Sequence, residues 1–448
     1  MAIFLRSILL AITSAALLAG CASTPDSPAP STPVSTDTSG YNYPIKNPYE
    51  ATVLGTPPAD VYKWDNPRKV KKKILTVNLE KDLNDITLAG AYGLADMKLL
   101  FARQEGPAPL IFVIAGTGAA YNSPKVLFLL DTFYQAGYHV ITISSPTKPP
   151  FMAAASSTHM PGLTNYDAED LYKVMTTALD KVQDDIEITE KYVTGYSLGG
   201  IDSAFVGYLD TQRKQINFDK VLMINPPVNL YTSVSNLDAL IPEYVKRHPD
   251  ATGAKLFADV FERVGRYFNE SGGGVKFGPE TLFEIQKSDQ ALPTDDVAVL
   301  IGISFLFSSA DLAFTSDALN HTGWIIPADE NYSPVSSQSG YWYKRSLRWR
   351  FLDYFDKMVV PWWQERHPGD TQEDIIQKVS LFAIEDYLRN NPSVGVMTNQ
   401  DDIILGPGDI EYLQSTLGNR AKIYPSGGHC GNMDYKDNVA YMLDFFNN

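Results

Sequence analysis

Gly195-Tyr196-Ser197-Leu198-Gly199 sets one serine between two glycines. It follows the strand-like run Lys191-Tyr192-Val193-Thr194 and precedes Leu198 to Gln212, where Ile201, Ala204, Phe205 and Leu209 recur at helical spacing. A serine between such a strand and helix sits on a strained turn that lifts its hydroxyl clear of the sheet edge. A bulky side chain two residues to either side would strike neighbouring backbone, so Gly195 and Gly199 meet a steric demand. The helix that begins there aims unpaired N–H groups and its positive dipole end at any anion forming beside the serine.

Working outward, strand-like and helix-like runs alternate. Lys73 to Leu79 and Asp85 to Phe101 read as early strands, the second broken as a hairpin near Gly90 to Gly93. Leu110 to Ala115 and Val140 to Ile143 are continuous apolar runs of the kind buried on both faces of a parallel sheet. Val126 to Ala136 and Asp167 to Val182 carry helical patterns, and Lys220 to Asn225 reads as a further strand. The alternation then stops until Val394 to Thr398, which a helix over Asp409 to Leu417, a strand over Ala421 to Tyr424 and a helix over Asp437 to Phe446 follow. Such alternation predicts an α/β fold, a mostly parallel sheet with helices on both faces, interrupted once. The interruption, residues 228–390, holds five of the six tryptophans and reads as a mainly helical cap between core segments 49–227 and 391–448.

A serine hydroxyl needs a base to take its proton and a third group to orient that base. Of the six histidines, His429 stands in Gly427-Gly428-His429-Cys430-Gly431, just after the last strand-like run, where flanking glycines allow a close turn. His139, at a strand start, reads as structural, and His159, His248, His321 and His367 as surface or packing residues. The acid comes from Thr398-Asn399-Gln400-Asp401-Asp402. Asp402 is preferred to Asp401 because the apolar run Ile403-Ile404-Leu405 follows it; the other aspartate would be a solvated loop charge or a turn cap.

The chain order Ser197, Asp402, His429, with Gly195 to Gly200 and Gly428-His429-Cys430-Gly431, resembles the α/β-hydrolase superfamily, especially its esterase-type members. The resemblance runs from about Lys73 to the C-terminus, the cap excepted. It implies an α/β-hydrolase fold with a large helical insertion, and an oxyanion hole built from the Leu198 N–H and a donor in the loop Ala115-Gly116-Thr117-Gly118-Ala119. Thr117 takes the donor position, with Gly118 as the alternative. Many relatives carry His-Gly where this chain has Ala115-Gly116, so no histidine side chain acts there. No metal or organic cofactor is implied.

Arg6, the apolar run Ile8 to Leu18 and the ending Leu18-Ala19-Gly20-Cys21 resemble a bacterial lipoprotein signal peptide over residues 1–20. That resemblance implies lipidation of Cys21 and, from Ala22 behind it, sorting to the outer membrane. Residues 21–48, rich in Pro, Ser and Thr, read as a disordered tether. Cys430, the only other cysteine, is then unpaired; beside the base it reads as a buried small hydrophobe rather than a second nucleophile. A net charge of -15 with no basic stripe argues against nucleic acid.

Within the cap, Val297 to Phe307 is apolar but too short to span a bilayer, which predicts a buried helix. Tyr341 to Trp363 reads as cap core with Lys344, Arg345, Arg348 and Arg350 on its wet side; lining an acyl groove or dipping into lipid is the other reading. The expected activity is cleavage of an ester, thioester or amide in a small molecule or lipid, at a membrane reached through the lipid anchor. The competing readings are an envelope acyltransferase with the same residues and a non-catalytic scaffold binding an envelope protein through the cap.

Overall fold

The computed structural model describes residues 38–77, 79, 97–250, 279–288, 291–330 and 339–448. The signal-peptide segment, Cys21, the tether up to residue 37 and the strand reading over residues 85–96 lie outside the described residues.

Eight strands form one sheet in the order β1-β2-β4-β3-β5-β6-β7-β8. They are β1 (Lys72–Val77), β2 (Met97–Ala102), β3 (Ala108–Ile114), β4 (His139–Ile143), β5 (Ile188–Tyr196), β6 (Lys220–Ile224), β7 (Val394–Asn399) and β8 (Ala421–Tyr424). β2 runs antiparallel to β1 and β4, and all other neighbours are parallel. The chain has the α/β-hydrolase fold. Strand composition follows position: every residue of β7 is buried, whereas β1, at the edge, exposes its first three residues.

Helices cover both faces. α1 (Pro48–Leu54) precedes the sheet; α2 (Pro124–Gln135) and the last helix, α15 (Lys436–Asn447), seal one face with Leu129, Phe133, Met442 and Phe446 over Ile111 and Val113. α3 (Pro149–Ala154), α4 (Thr164–Asp180) and α5 (Leu198–Arg213) cover the other, with Leu171, Met175, Ile201 and Phe205 over Phe112 and Val193.

Between β6 and β7 every described element is helical: α6 (Leu230–Arg247), α7 (Pro279–Lys287), α8 (Thr294–Asn320), α9 (Ser339–Ser346), α10 (Phe351–Tyr354), which runs through a π turn into α11 (Val360–Arg366), then α12 (Gln372–Lys378) and α13 (Glu385–Asn390). α14 (Asp409–Leu417) follows β7.

Two expectations change. The apolar run Val297 to Phe307 is part of a 27-residue helix, α8, long and apolar enough to cross a membrane by length and composition, so the argument from shortness fails. In this fold α8 lies in the cap, its Val297, Val299, Ile303, Leu312 and Phe314 buried. The tether expected over 21–48 gives way to packed structure by Tyr41: Tyr43 is fully buried and stands edge-on to Tyr435, 5.4 Å between centroids. A tyrosine pair burying this much ring area outweighs the polar composition around it. The stripe Tyr341 to Trp363 buries Phe351, Tyr354, Phe355 and Trp363, with Lys344, Arg345, Arg348 and Arg350 exposed.

Candidate active site

β5 is central, with Gly195 opposite Ile114 of β3 and Met223 of β6. Ser197 follows it at φ 57°, ψ -127°, and Leu198 opens α5. A Cβ on Gly195 would run into the Gly199 carbonyl, and one on Gly199 into the carbonyl of Ile114. The two glycines are therefore what lets the turn close on itself, and the strained φ of a non-glycine residue marks Ser197 as the group it exposes.

Asp402 follows β7 and His429 follows β8, so three loops at one end of the sheet meet. His429 Nε2 lies 2.9 Å from Ser197 Oγ, and its Nδ1 lies 3.0 and 3.1 Å from the two oxygens of Asp402. The Asp402 side chain is fully buried, and that of His429 is 15% exposed. Burial works against a charged imidazole, but the Asp402 carboxylate and the Cys430 sulfur beside the ring outweigh it and raise its proton affinity above that of free histidine. The Cys430 Sγ is 3.9 Å from Nε2, itself buried in the core beneath the loop.

Asp402 and Asp401 divide the work between them. Asp402 faces the ring, whereas Asp401 accepts from the backbone N–H groups of Gly427 and Gly428, 3.2 and 2.9 Å away, and so caps the histidine loop. Sequence reasoning missed Asn225. At the end of β6 and at φ 46°, its Nδ2 donates to Asp402 Oδ2 at 2.8 Å, while Ile404 N–H donates to Oδ1 at 3.2 Å. The signal available was an asparagine at a strand end, a residue type that tolerates the left-handed region. With Oδ2 tied down, the carboxylate keeps one orientation toward Nδ1.

The loop after β3 rests against the serine: a Cβ on Gly116 would lie 3.0 Å from that of Ser197. Gly118 donates its N–H to Thr147 Oγ1 at 2.8 Å, so that donor is occupied. Thr117 N–H has no acceptor among the described residues, and Leu198, first residue of α5, has no intrahelical one. Of the two residues weighed in this loop, Thr117 is the one with a donor to spare. α8 of the cap reaches the same loop, with Ser308 Oγ 2.8 Å from where a Cβ of Gly118 would stand.

The remaining histidines stand in other surroundings. His139 is buried, its Nδ1 accepting from Gln104 N–H at 3.0 Å, His248 stacks on Tyr244, and His367 packs on Trp363. His159 bonds the Met152 carbonyl, and His321 ends α8 in the left-handed region.

No family model and no curated protein matches this chain. Among solved structures it is similar to a hyperthermophilic esterase from the archaeon Pyrobaculum calidifontis, at 15% identity over 85% of this chain and 83% of that one, with a TM-score of 0.40. It is also similar to carboxyl esterase 2 from the mycorrhizal fungus Tuber melanosporum, at 14% identity, 87% and 88% coverage and a TM-score of 0.38. Brefeldin A esterase, described as a bacterial homologue of human hormone-sensitive lipase, gives 12% identity, 93% and 85% coverage and a TM-score of 0.37. These likenesses are distant.

Proposed function

We propose that this protein is a serine hydrolase that cleaves a carboxylic ester, with thioesters and amides as related substrates, through an acyl-enzyme. The observation that carries the reading is the double bridge made by His429, one ring nitrogen on Ser197 Oγ and the other on the buried Asp402. Ser197 attacks the acyl carbon while Nε2 takes its proton; the imidazolium is held by Asp402 and returns that proton to the leaving alcohol. The N–H groups of Leu198 and Thr117 receive the oxyanion. Water, deprotonated in turn by His429, releases the acid and restores Ser197. Donors held in place before the reaction starts stabilise charge without the cost of reorienting solvent.

We further propose that the chain is lipidated at Cys21 and held in a bacterial envelope, at the outer membrane facing the periplasm; Leu18-Ala19-Gly20-Cys21 and Ala22 support this. Stopped-flow hydrolysis of p-nitrophenyl acetate and butyrate tests the chemistry. The expected result is a burst of nitrophenolate close to one equivalent per Ser197; no turnover on either ester, or equal turnover by Ser197→Ala, overturns the reading.

A further inference from the structure

Helix α1 carries none of the three groups just described, yet the histidine loop is built against it. Asn47 caps the helix, its Oδ1 accepting from Tyr49 and Glu50 N–H at 3.0 and 3.2 Å. The Thr52 hydroxyl donates to the Pro48 carbonyl at 2.6 Å, so its oxygen is left free to accept. It accepts from the backbone N–H of His429 itself, at 2.8 Å.

The rest of the interface is equally close. A Cβ on Gly428, which sits at φ +56°, would strike the Pro48 carbonyl and stand 2.6 Å from Thr52 Oγ1; one on Gly431 would strike the carbonyl of Ala51. The hydroxyl of buried Tyr43 lies 3.0 Å from the Gly431 carbonyl. On the loop's other side, Asp401 holds the N–H groups of Gly427 and Gly428. The glycine-flanked turn is thus gripped between a strand-end carboxylate and α1. α1 also touches the cap, through Asn47 Nδ2 to Thr294 Oγ1 at 3.1 Å and Gln286 Nε2 to Glu50 Oε1 at 3.3 Å.

We infer that Thr52 is a positioning residue for the base, fixing the backbone of His429 so that Nε2 stays within reach of Ser197 Oγ. Asp402 sets the tautomer and tilt of the ring, but the ring's place in space is set by the Cα of His429. That Cα lies in a turn whose glycines impose little stiffness of their own. A displacement of about 1 Å at a reacting group costs on the order of a hundredfold in rate, so a bond on the His429 N–H acts on kcat through the place it gives the ring. The inference rests on the hydrolase reading above.

The test uses the full chain with p-nitrophenyl butyrate, comparing wild type, Thr52→Val, which keeps the shape and loses the acceptor, and Thr52→Ser, which keeps the acceptor. Rates are taken per folded protein, measured by circular dichroism. Thr52→Val is expected to lower kcat about tenfold or more with KM within about twofold, and Thr52→Ser to restore most of the loss. Should Thr52→Val fail to fold, Thr52→Ala carries the same comparison. Unchanged kcat in the variant lacking the hydroxyl, or a matching loss in Thr52→Ser, overturns the role of Thr52 alone. A wild type that neither hydrolyses the ester nor shows a burst overturns the hydrolase reading instead.

Discussion

The core and the cap hold their shape by different means. In the core around Ser197 several of the tightest contacts are backbone on backbone: Gly195 against Gly199, Gly199 against Ile114 and Ala115, Gly431 against Ala51. In the cap they are made by side chains. Asp238 of α6 accepts from Phe351 and Leu352 N–H, Asp317 accepts from Trp324, Ile325 and Ile326 N–H, and Gly302 of α8 meets Leu240 and Ile241. Backbone cannot re-pack by choosing another rotamer, whereas the Asp238 and Asp317 side chains can; the Leu240 Cβ beside Gly302 is set by its own backbone. The backbone contacts lie next to Ser197, while Ser308 of α8 reaches over the loop after β3.

The sharpest way to break this division is Asp402→Asn. In a triad the equivalent change preserves geometry but leaves the wrong tautomer, so kcat should fall about 10⁴-fold. The pH profile should move as well. His429 must be neutral to accept the serine proton, and its proton affinity is raised by Asp402, so kcat/KM of the wild type should rise through a limb above the ordinary histidine range near 6.5. Removing the carboxylate takes away the strongest influence raising His429 and leaves burial, which favours the neutral ring, opposed only by the Cys430 sulfur, so the residual activity of Asp402→Asn should rise at lower pH than in wild type. A limb that does not shift would separate His429 from Asp402.

A matched pair of glycine substitutions compares the two regions directly. Gly195→Ala drives a methyl into backbone that cannot yield, and should cost about 3 kcal/mol or more of stability together with the activity. Gly302→Ala places its methyl 2.9 Å from Leu240 Cβ in a helix–helix contact, where a helix-propensity gain of about 1 kcal/mol offsets part of the crowding. Its net loss should be about 1 kcal/mol with kcat retained, by denaturant titration and ester assay. Equal losses would erase the distinction.

The smallest effect concerns a buried carboxylate pair under the elbow. Asp202 of α5 and Asp167 of α4 are fully buried; neither oxygen of Asp202 has a partner among the described residues. Burial, and for Asp167 the charge of Asp202, raise both well above the usual carboxylate range. A carboxyl with a raised folded value binds more protons folded than unfolded, so it favours folding at low pH and loses that contribution as pH rises from about 4 through the folded value. Asp202→Asn should therefore stabilise the fold at pH 7 by about 1 kcal/mol and do little at pH 4, by melting curves at both pH values. A loss of stability at pH 7 would show the pair to be held by a partner instead.

Most of the sheet was legible in the sequence because buried parallel strands write themselves as apolar runs. The elbow was legible because its sterics demand glycine at two fixed offsets. The α8 boundary was not: reading hydropathy along the chain stops at Ser308-Ser309, but in the helix these hydroxyls bond back to the carbonyls of Ser304 and Phe305 four residues earlier, and the helix continues. Asn225 and Thr52 went unassigned for another reason. Their partners lie far off in sequence, 377 residues away for Thr52 and His429, and a hydroxyl at the end of a short helix announces nothing about what will fold against it.

The central claim is that Ser197 is activated by His429. Full-chain protein treated with a fluorophosphonate probe, then digested and analysed by mass spectrometry, tests it most directly. One adduct per chain is expected, on the peptide bearing Ser197, absent in Ser197→Ala and slowed by about a thousandfold or more in His429→Ala. A wild type without adduct, or an adduct that persists unchanged in Ser197→Ala, would contradict it.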